Sequence, residues 1–577
     1  MVNSLFRHTL SALAVVVVLI LWLRRKLYPK PYPGIPYNLQ SATRITGDIP
    51  DLIPVIKEKN EFSESLFTIT TQKLGAPIAQ MLFPGIRMPM IILEDPREIE
   101  DILLRRAKDF DKAPMSIDLF GPMFPNSTLA QYTTPELREQ KRIWADTMKM
   151  EFLRKTAAPN IRKSTLDLIE LWRLKASVAP DQPFKTLDDF KYAALDAIWV
   201  AAVGEEPGVT KFEIKKLQSQ ISGNDEPQDQ PLGTFIRKEV VYICDTIARN
   251  SSSPSPKWAQ VFETWTPRYR RSRTVVNTEV GRSLRRAVDR FQDFELGNLE
   301  REDFDTCMID LVLRRQILEA RKAGKSKTPT DLTKDQSLID MLFVMLVAGH
   351  DSTANVLSWF CKFMEANPSV QTELRTALQM AFPGPDVPLS DEILRADIPY
   401  LDGVCEEAFR LAGAAKAQLR RSLVDTEILG CKIPKGSEVF MNLHVNRMPA
   451  PVDESKRSAT CQEAAVKHGE GDGLQGAAGR DLGSFEPKRW LVRDKSGKES
   501  FNAHAIPSLA FGGGYRGCLG VRLARMEFRI VVVLLILNFE FLPLPEELRT
   551  TSVTEKIFRE PDTPYARVKA LLNGGSS

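Results

Sequence analysis

A glycine-rich loop that carries a cysteine constrains the fold of this chain more than any other feature. Residues 509–524 read LAFGGGYRGCLGVRLA, and Gly512, Gly514 and Gly517 fit the G-x-G-x-x-G pattern of dinucleotide-binding loops. Cys518 stands in the same loop, just ahead of an apolar stretch that predicts a helix. The loop therefore either holds a pyrophosphate or holds a metal through sulfur.

The rest of the chain decides between these two interpretations. Glu540 lies where a ribose-binding carboxylate is expected, but a dinucleotide fold needs several strand–helix–strand units, and only about 60 residues follow Gly514. Upstream, apolar periodicity predicts helices at 135–157, 162–176, 183–203, 303–323, 333–367 and 368–381. Strand-like runs are short, at 78–83, 90–95 and 437–443. We therefore predict a mainly α fold with small β-sheets and reject the dinucleotide interpretation.

Composition excludes several classes of protein. The 577 residues include 78 basic and 74 acidic side chains, a balance that argues against nucleic-acid binding. The seven cysteines are scattered, with no C-x-x-C pair, which fits a reducing compartment and argues against a disulfide framework or a structural zinc site. With only five histidines in the chain, any metal must have a sparse ligand set.

The N-terminus predicts a membrane anchor. Residues 10–23 read LSALAVVVVLILWL, and Arg24, Arg25 and Lys26 follow at once. We predict that 1–27 is a transmembrane anchor, with the rest of the chain on the cytoplasmic side. The alternative is a cleaved signal peptide, but the basic cluster follows the apolar run and no small-x-small cleavage site is evident.

Two further segments look distinct from the main domain, which we place at 28–577. The proline-rich segment 28–37 predicts a stiff, extended spacer after the anchor. Residues 449–483 are rich in alanine, glycine and charge and lack apolar periodicity. We expect them to form a disordered surface insertion.

The chemistry of the loop favours sulfur ligation. The free N–H groups and dipole at the start of a helix stabilise an anion, which suits a thiolate at Cys518. The glycines let the backbone pass close to a flat ligand, and Arg516 is placed to pair with a carboxylate on it. These features describe a thiolate-ligated metal in a planar, anionic macrocycle.

The stretch FGGGYRGCLG, Phe511–Gly520, resembles the haem-binding signature F-x-x-G-x-R-x-C-x-G of the cytochrome P-450 family at every fixed position. The resemblance implies haem b, iron protoporphyrin IX, with Cys518 as the axial thiolate and metal ligand. It also implies that Phe511 packs near the sulfur and Arg516 holds a haem propionate, with Gly520 as the last fixed position of the haem loop.

A second resemblance lies inside an apolar stretch, 338–360, that predicts a buried helix. Its centre reads AGHDST and is similar to the family pattern A-G-x-[DE]-T-[TS], with Ser352 where threonine is usual. A buried carboxylate such as Asp351 is costly unless it is paired or used. The resemblance implies a widened turn that admits dioxygen, with Asp351 and either Ser352 or Thr353 as catalytic residues delivering protons. We expect His350 to be a packed helix residue.

Two other segments follow in the family's order. EEAFR contains Glu407 and Arg410, and FEPKRW, which resembles F-x-P-x-R-[FW], contains Arg489. The resemblance implies that these three residues form a buried ion-pair network with a scaffolding role.

Additional haem contacts follow less directly from the resemblance. Arg420, five residues before Asp425, stands where the family often has a propionate-binding arginine. In ELREQKRIW the usual W-x-x-x-R is replaced by Leu137 and Lys141, so either Lys141 or Arg142 is expected at a propionate.

The resemblance implies a monooxygenase that puts one oxygen atom into a lipophilic substrate and releases the other as water. The chain has no flavin domain, so NADPH acts only indirectly, through a membrane-bound NADPH–cytochrome P-450 reductase. The similarity to fungal members suggests an endoplasmic reticulum enzyme that oxidises a terpenoid, polyketide or alkaloid in secondary metabolism, with pocket walls at 113–134 and 204–236. Arg522, Arg525 and Arg529 form either a reductase-docking stripe or a solvated helix face.

Two alternatives stay open. One is a haem-thiolate isomerase or dehydratase that needs no reductase, although such members tend to lack the acid–alcohol pair. The other is a catalytically silent haem-binding protein.

Overall fold

Helices dominate the chain and the strands are short. The computed structural model describes residues 17–571 except 20, 86, 226, 252, 254, 301–304, 325–332, 385 and 469–480. The α-helices are α1 Leu39–Ala42, α2 Ile49–Lys59, α3 Phe62–Phe67, α4 Pro96–Leu104, α5 Pro114–Phe120, α6 Pro135–Trp144, α7 Met150–Phe152, α8 Ala158–Val178, α9 Leu187–Val203, α10 Val209–Ser222, α11 Leu232–Ser251, α12 Pro256–Thr264, α13 Pro267–Glu295, α14 Met308–Lys322, α15 Gln336–Ala366, α16 Pro368–Ala381, α17 Ser390–Arg395, α18 Pro399–Ala412, α19 Ala459–His468 and α20 Val521–Asn538.

The strands are β1 Ile78–Met81, β2 Met90–Leu93, β3 Phe110–Lys112, β4 Phe184–Lys185, β5 Ala417–Ser422, β6 Thr426–Ile428, β7 Cys431–Ile433, β8 Glu438–Asn442, β9 Leu491–Arg493, β10 Glu499–Phe501, β11 Phe539–Leu542, β12 Val553–Glu555, β13 Arg559–Pro561 and β14 Tyr565–Ala570. The mainly α fold with small sheets is confirmed, as are the three predicted strands, which become β1, β2 and β8.

Five predicted helices are also confirmed, with shifted ends, as α8, α9, α14, α15 and α16. The prediction of one helix over 135–157 is wrong. The α-helix ends at Trp144, and a 3₁₀ turn, the short α7 and a π-helical turn at Leu153–Ala157 follow. At the break the Thr147 hydroxyl donates to the Trp144 carbonyl at 2.7 Å, the local bond by which threonine competes with an α-helix.

The contacts divide the chain into two units. The sheet unit comprises Met1–Ala113, Lys416–Leu443 and Arg447–Gly471, and the helical unit comprises Pro114–Ala415, His444–Asn446 and Asp472–Ser577.

The sheet unit is built on five strands in the order β1-β2-β8-β5-β3. The β2–β8 pair is parallel, with Ile91 opposite Val439, and the other pairs are antiparallel. All residues of β1 and β2 are buried, including Gln80, whose side-chain amide donates to the carbonyls of Tyr32 and Ile35 at 2.9 and 2.8 Å. The proline-rich segment 28–37 is therefore hydrogen-bonded to this sheet.

Part of the 449–483 segment is folded in the same unit. Arg457 pairs with Asp95 at 2.6 and 2.9 Å, and the hydroxyls of Ser458 and Thr460 donate to Asp101 at 2.6 and 2.8 Å. Both carboxylates are buried, so these partners stabilise charges that otherwise have no water. The expected disorder is therefore wrong for residues that include α19, while 469–480 lie outside the described residues.

In the helical unit, α9 packs extensively on α15. The two helices approach each other closely at Gly349, where a Cβ would lie 2.8 Å from Cγ1 of Ile198. The apolar α20 is buried over most of its length in the same core, and the sheet β11-β14-β4 and the hairpin β12–β13 complete the unit.

The predicted anchor falls largely outside the described residues. Of residues 1–27, positions 17–19 and 21–27 are described, and they are helical with exposed apolar side chains such as Val18 and Trp22. Within the described part of the chain, one helix has the length and apolar composition of a membrane span: α15, most of which is buried inside the protein.

Candidate functional site

The loop ahead of α20 holds Cys518 in a closed backbone turn. Gly512 and Gly514 adopt left-handed backbone conformations, with φ of 63° and 61°, which glycine allows without steric cost. The Cys518 N–H donates to the carbonyl of Phe511 at 2.9 Å and closes the loop. Because Gly520 caps α20, the sulfur is carried just ahead of the first turn of the helix.

The thiol of Cys518 differs from those of the other six cysteines, since it alone among the seven is exposed. The protein around it still removes enough water to raise the pKa of the thiol, while a backbone hydrogen bond from Gly520 and the charge of Lys141 act in the opposite direction. A metal bound at this loop would favour the thiolate over the thiol.

The loop around Cys518 is open at one glycine and tightly packed at another. A Cβ on Gly520 would meet nothing within 4 Å, whereas a Cβ on Gly517 would lie 3.2 Å from the Gly514 carbonyl oxygen. Phe511 packs edge-on against Phe409, with ring centroids 5.0 Å apart. A single sulfur donor beside open space and an aromatic wall fits a thiolate-ligated haem.

The basic residues predicted at the haem divide into two groups. Arg516 donates to the Gln131 carbonyl at 2.8 Å. The Lys141 ammonium donates to the Tyr515 carbonyl and lies 4.6 Å from the centre of the Tyr515 ring, so it borders the loop. Arg142 instead pairs with Glu319 at 3.2 Å. Of the two alternatives, the structure brings Lys141 to the loop.

Arg420 lies on β5 in the sheet unit, where its side chain is buried. Its role at a haem propionate stays a prediction.

The three polar residues on α15 have different partners. The Asp351 carboxylate pairs with Lys191 at 2.9 Å, and the Ser352 hydroxyl donates to the Ala348 carbonyl at 2.6 Å. The Thr353 hydroxyl donates to Glu527 at 3.5 Å. The predicted widened turn is not present: α15 is α-helical from end to end, and the Ser352 hydroxyl bonds to the carbonyl one turn earlier in the same helix.

His350 is a packed helix residue, as predicted. It is buried, and its Nδ1 lies 2.8 Å from the Leu346 carbonyl oxygen. Burial lowers the pKa of His350.

Sequence reasoning missed the groups that face these polar residues from other elements. Lys191 is on α9, Glu560 on β13 and Glu527 on α20. Burial raises the pKa of Glu527 to about 8, so this carboxyl is largely protonated at neutral pH. In the sequence Glu527 stands among Arg522, Arg525 and Arg529, and no local pattern marks it as buried.

The predicted scaffold network is confirmed. Glu407 accepts hydrogen bonds from Arg410 at 2.7 and 2.8 Å, from Arg489 at 2.9 Å and from the indole of Trp490 at 2.9 Å. The Glu486 N–H also donates to it, at 3.0 Å. The network lies in the buried interior and joins α18 to the turn before β9.

The arginines of α20 do not form an unpaired stripe. Arg525 pairs with Glu406, Arg529 pairs with Asp402 and donates to two carbonyls, and Arg522 donates to the Met148 carbonyl at 3.3 Å. The Arg529 side chain is mostly buried by its partners, so it belongs neither to a reductase-docking stripe nor to a solvated helix face.

Comparison with known proteins agrees with this site. The model of the cytochrome P-450 family matches residues 70–448 and 483–566, so the chain belongs to the cytochrome P-450 family. The unmatched residues between these two stretches fall in the segment that the sequence marks as an insertion.

Several relatives align over nearly the whole chain. Cytochrome P-450 monooxygenase TRI13 of Fusarium sporotrichioides is 31% identical over 96% of this chain and 98% of the relative. Cytochrome P-450 monooxygenase GME11363 of Pestalotiopsis microspora is 30% identical over 97% of each. Cytochrome P-450 monooxygenase xilC of Penicillium crustosum is 30% identical over 95% of this chain and 94% of its own. The chain is thus an oxidoreductase of the cytochrome P-450 monooxygenase family.

Proposed function

We propose that this protein is a haem-thiolate monooxygenase that oxidises a lipophilic small molecule in fungal secondary metabolism, by hydroxylation, epoxidation or successive oxidations. The observation that carries the proposal is the exposed Cys518 thiol, held ahead of α20 by a loop that matches the haem signature. The fungal monooxygenases that align over nearly the whole chain support the class of reaction.

Four residues are proposed to hold haem b. Cys518 ligates the iron, Phe511 forms a wall beside the sulfur, and Arg516 and Lys141 are the cations at this loop that suit the propionates. Bound there, the haem supplies activation of dioxygen, favoured by electron density from the thiolate.

The protein's own groups are proposed to hold and move protons. Asp351 is kept in place by Lys191, and Ser352 stands next to it on α15. The Ser352 oxygen donates to Ala348 yet keeps lone pairs that accept a further hydrogen bond, so it is able to pass on a proton. The presence of this acid–alcohol pair favours a monooxygenase over an isomerase or dehydratase.

We also propose where the protein lies in the cell and which partner and substrate it uses. We place residues 1–27 in the endoplasmic reticulum membrane and the catalytic domain on the cytoplasmic side, since the apolar run ends in three basic residues. Electrons come from NADPH–cytochrome P-450 reductase, and the substrate is a terpenoid, polyketide or alkaloid that partitions into membranes.

The test is to co-express the full chain with a reductase and to supply candidate terpenoids, polyketides and alkaloids. The proposal expects a product heavier by one oxygen atom, with NADPH consumed in proportion. Product formation without reductase would instead indicate an isomerase or dehydratase. Haem binding with no turnover of NADPH would indicate a silent haem-binding protein.

A further inference from the structure

The loop between α5 and α6, residues 121–134, is fastened to α15 by one buried carboxylate. Asp340 on α15 is fully buried. One of its oxygens accepts hydrogen bonds from the backbone N–H and the side-chain amide of Asn126, both at 3.1 Å. The other oxygen accepts from Arg273 on α13 at 2.6 Å and from Gln336 at 3.0 Å. A single carboxylate therefore joins the loop to two helices.

Further contacts hold the same loop beside this carboxylate. Phe124 packs edge-on against Phe343 of α15, with ring centroids 5.3 Å apart, and the Arg273 guanidinium lies 5.5 Å from the centre of the Phe343 ring. The Tyr269 hydroxyl of α13 donates to the Met123 carbonyl at 3.3 Å. Because the junction is closed to water, a charge that loses its partner there is costly.

The far end of the loop contacts the segment that carries Cys518. The Gln131 carbonyl accepts a hydrogen bond from Arg516 at 2.8 Å, and the Gln131 side-chain amide donates to the side chain of Gln140 at 3.2 Å. Gln140 in turn donates to the Asn126 carbonyl at 2.8 Å. The positions of Asn126 and Arg516 are therefore linked through two glutamines.

The middle of the loop lies against the face of α15 that carries Ser352. The Thr128 hydroxyl donates to the Met341 sulfur at 3.6 Å. Met341, Ala348 and Ser352 follow one another at spacings of seven and four residues, so they share one face of the helix. The loop that Asp340 holds thus borders the helix face with the hydroxyl of the proposed site.

We propose that Asp340 and Arg273 are positioning residues that hold the 121–134 loop as a preformed wall for the substrate, and that this wall decides how well large ligands bind. The inference rests on the proposed function and adds to it the residues that fix one wall of its pocket. A preformed wall favours binding, because the cost of ordering it is met on folding. A simpler role is that the Asp340 junction only stabilises the fold. The two roles differ in which ligands lose affinity when the junction is broken.

The test uses the haem-loaded full chain and follows the Soret band while imidazole or clotrimazole is added. Both ligands bind iron through an imidazole nitrogen, but clotrimazole also carries three aromatic rings that need the surrounding walls. In Asp340→Asn an amide nitrogen faces hydrogen-bond donors, so the loop loses its attachment at unchanged side-chain size. We expect the Kd of clotrimazole to rise about tenfold and that of imidazole to change less than about twofold, since only the larger ligand then has to order the loop.

Asp310→Asn is the matched control. Asp310 is equally buried and pairs with Arg290 of the same helix α13 at 2.6 Å, and none of its hydrogen-bond or ion-pair partners in the described structure belongs to the 121–134 loop. Both substitutions should lower the melting temperature, because each removes the counter-charge of a partly buried arginine. Only Asp340→Asn should change the ratio of the two Kd values. An equal ratio in the two variants, or tighter clotrimazole binding in Asp340→Asn, overturns the inference.

Asn126→Asp keeps the test open if Asp340→Asn does not fold. It leaves the pair of Arg273 and Asp340 in place but puts a second carboxylate where the Asn126 amide nitrogen lies 3.1 Å from Asp340, so the loop is repelled. We expect the same loss of clotrimazole affinity, together with faster hydrogen exchange of the amides of residues 121–134 in the resting enzyme. Unchanged exchange in this variant overturns the inference.

The outcomes also separate this inference from the proposed function. A folded wild type that holds no haem overturns the proposed function. A haem-loaded wild type whose variants bind both ligands as it does overturns this inference alone.

Discussion

Two neighbouring hydroxyls on α15 have different environments, and this bears on which one relays protons. Thr353 is buried and donates to the buried carboxyl of Glu527, a partner on α20. Ser352 is only half-buried and donates to its own helix at Ala348. Ser352 is therefore the more accessible of the two hydroxyls, and Thr353 is the one bonded to another helix inside the core.

We predict that Ser352→Ala diverts most of the NADPH electrons into peroxide, because no hydroxyl next to Asp351 then accepts and passes a proton. Thr353→Val, of nearly equal size, should leave the peroxide fraction as in wild type while lowering the melting temperature. Peroxide and NADPH are measured in the same reaction. If Thr353→Val releases the peroxide and Ser352→Ala does not, the two roles are reversed.

The buried Glu527 should make stability depend on pH. Its pKa rises from 4.5 in the unfolded chain to about 8 in the folded protein. Protonated Glu527 therefore stabilises the fold fully when the pH is below 4.5. This stabilisation is lost as the pH rises through about 8. Glu527→Gln keeps a neutral side chain and removes that loss. We predict that the melting temperature of Glu527→Gln relative to wild type increases from about pH 5 to about pH 8. A difference that stays constant over this range would contradict the account.

Residues inside short motifs could be predicted from the sequence, but the distant residues that pair with them could not. Cys518, Asp351 and Glu407 were identified because their spacing within short segments has a known chemical meaning. Lys191 and Glu560 come from elements far apart in the chain, and no local pattern indicates that they meet Asp351. Long-range pairing depends on how α9 and the C-terminal hairpin pack, which residue spacing does not encode.

At the scale of elements, the Glu407 network is a fixed joint between α18 and the segment that leads into β9. Glu407 and Arg410 lie one turn apart on α18, whereas Arg489 and Trp490 arrive from the turn at Pro487–Trp490. Arg410 also donates to the carbonyls of Val445 and Leu482. The buried charges are thus paired with one another and bonded to backbone groups, which offsets much of the cost of burying them.

We predict that Glu407→Gln destabilises the protein by about 3–5 kcal/mol, because it leaves the buried Arg410 without its counter-charge and Arg489 with only the exposed Glu486. Glu499→Gln makes the same substitution in the exposed pair with Arg493, and should cost less than about 1 kcal/mol. Denaturant unfolding followed by circular dichroism measures both. Equal losses in the two variants would show that the network contributes no more than a surface pair.

The apolar periodicity of the sequence correctly predicted five of the helices, α8, α9, α14, α15 and α16. The prediction failed at 135–157. There Thr147 and the following residues form 3₁₀ and π turns, and their apolar residues are spaced much as in an α-helix. It also failed at α19, a short helix that is held by ion pairs and hydroxyl–carboxylate bonds around Arg457 rather than by an apolar stripe. A helix that is held by polar contacts has the same kind of composition as a disordered segment.

At the scale of the whole molecule, family membership is the level at which sequence and structure agree most fully. The four ordered segments around Cys518, Asp351, Glu407 and Arg489 lie between residues 338 and 520, and all four belong to the helical unit. The anchor at 1–27 depends on residues that are mostly outside the described structure, so it rests on composition and on the basic cluster alone.

The central claim is the bond between the Cys518 sulfur and a haem iron. The direct measurement is the absorption spectrum of the purified, haem-supplied protein after reduction under carbon monoxide, recorded beside Cys518→Ser. The account predicts the red-shifted Soret band of thiolate ligation in wild type and its loss in Cys518→Ser. A folded, haem-containing wild type without that band, or a variant that keeps it, would contradict the account.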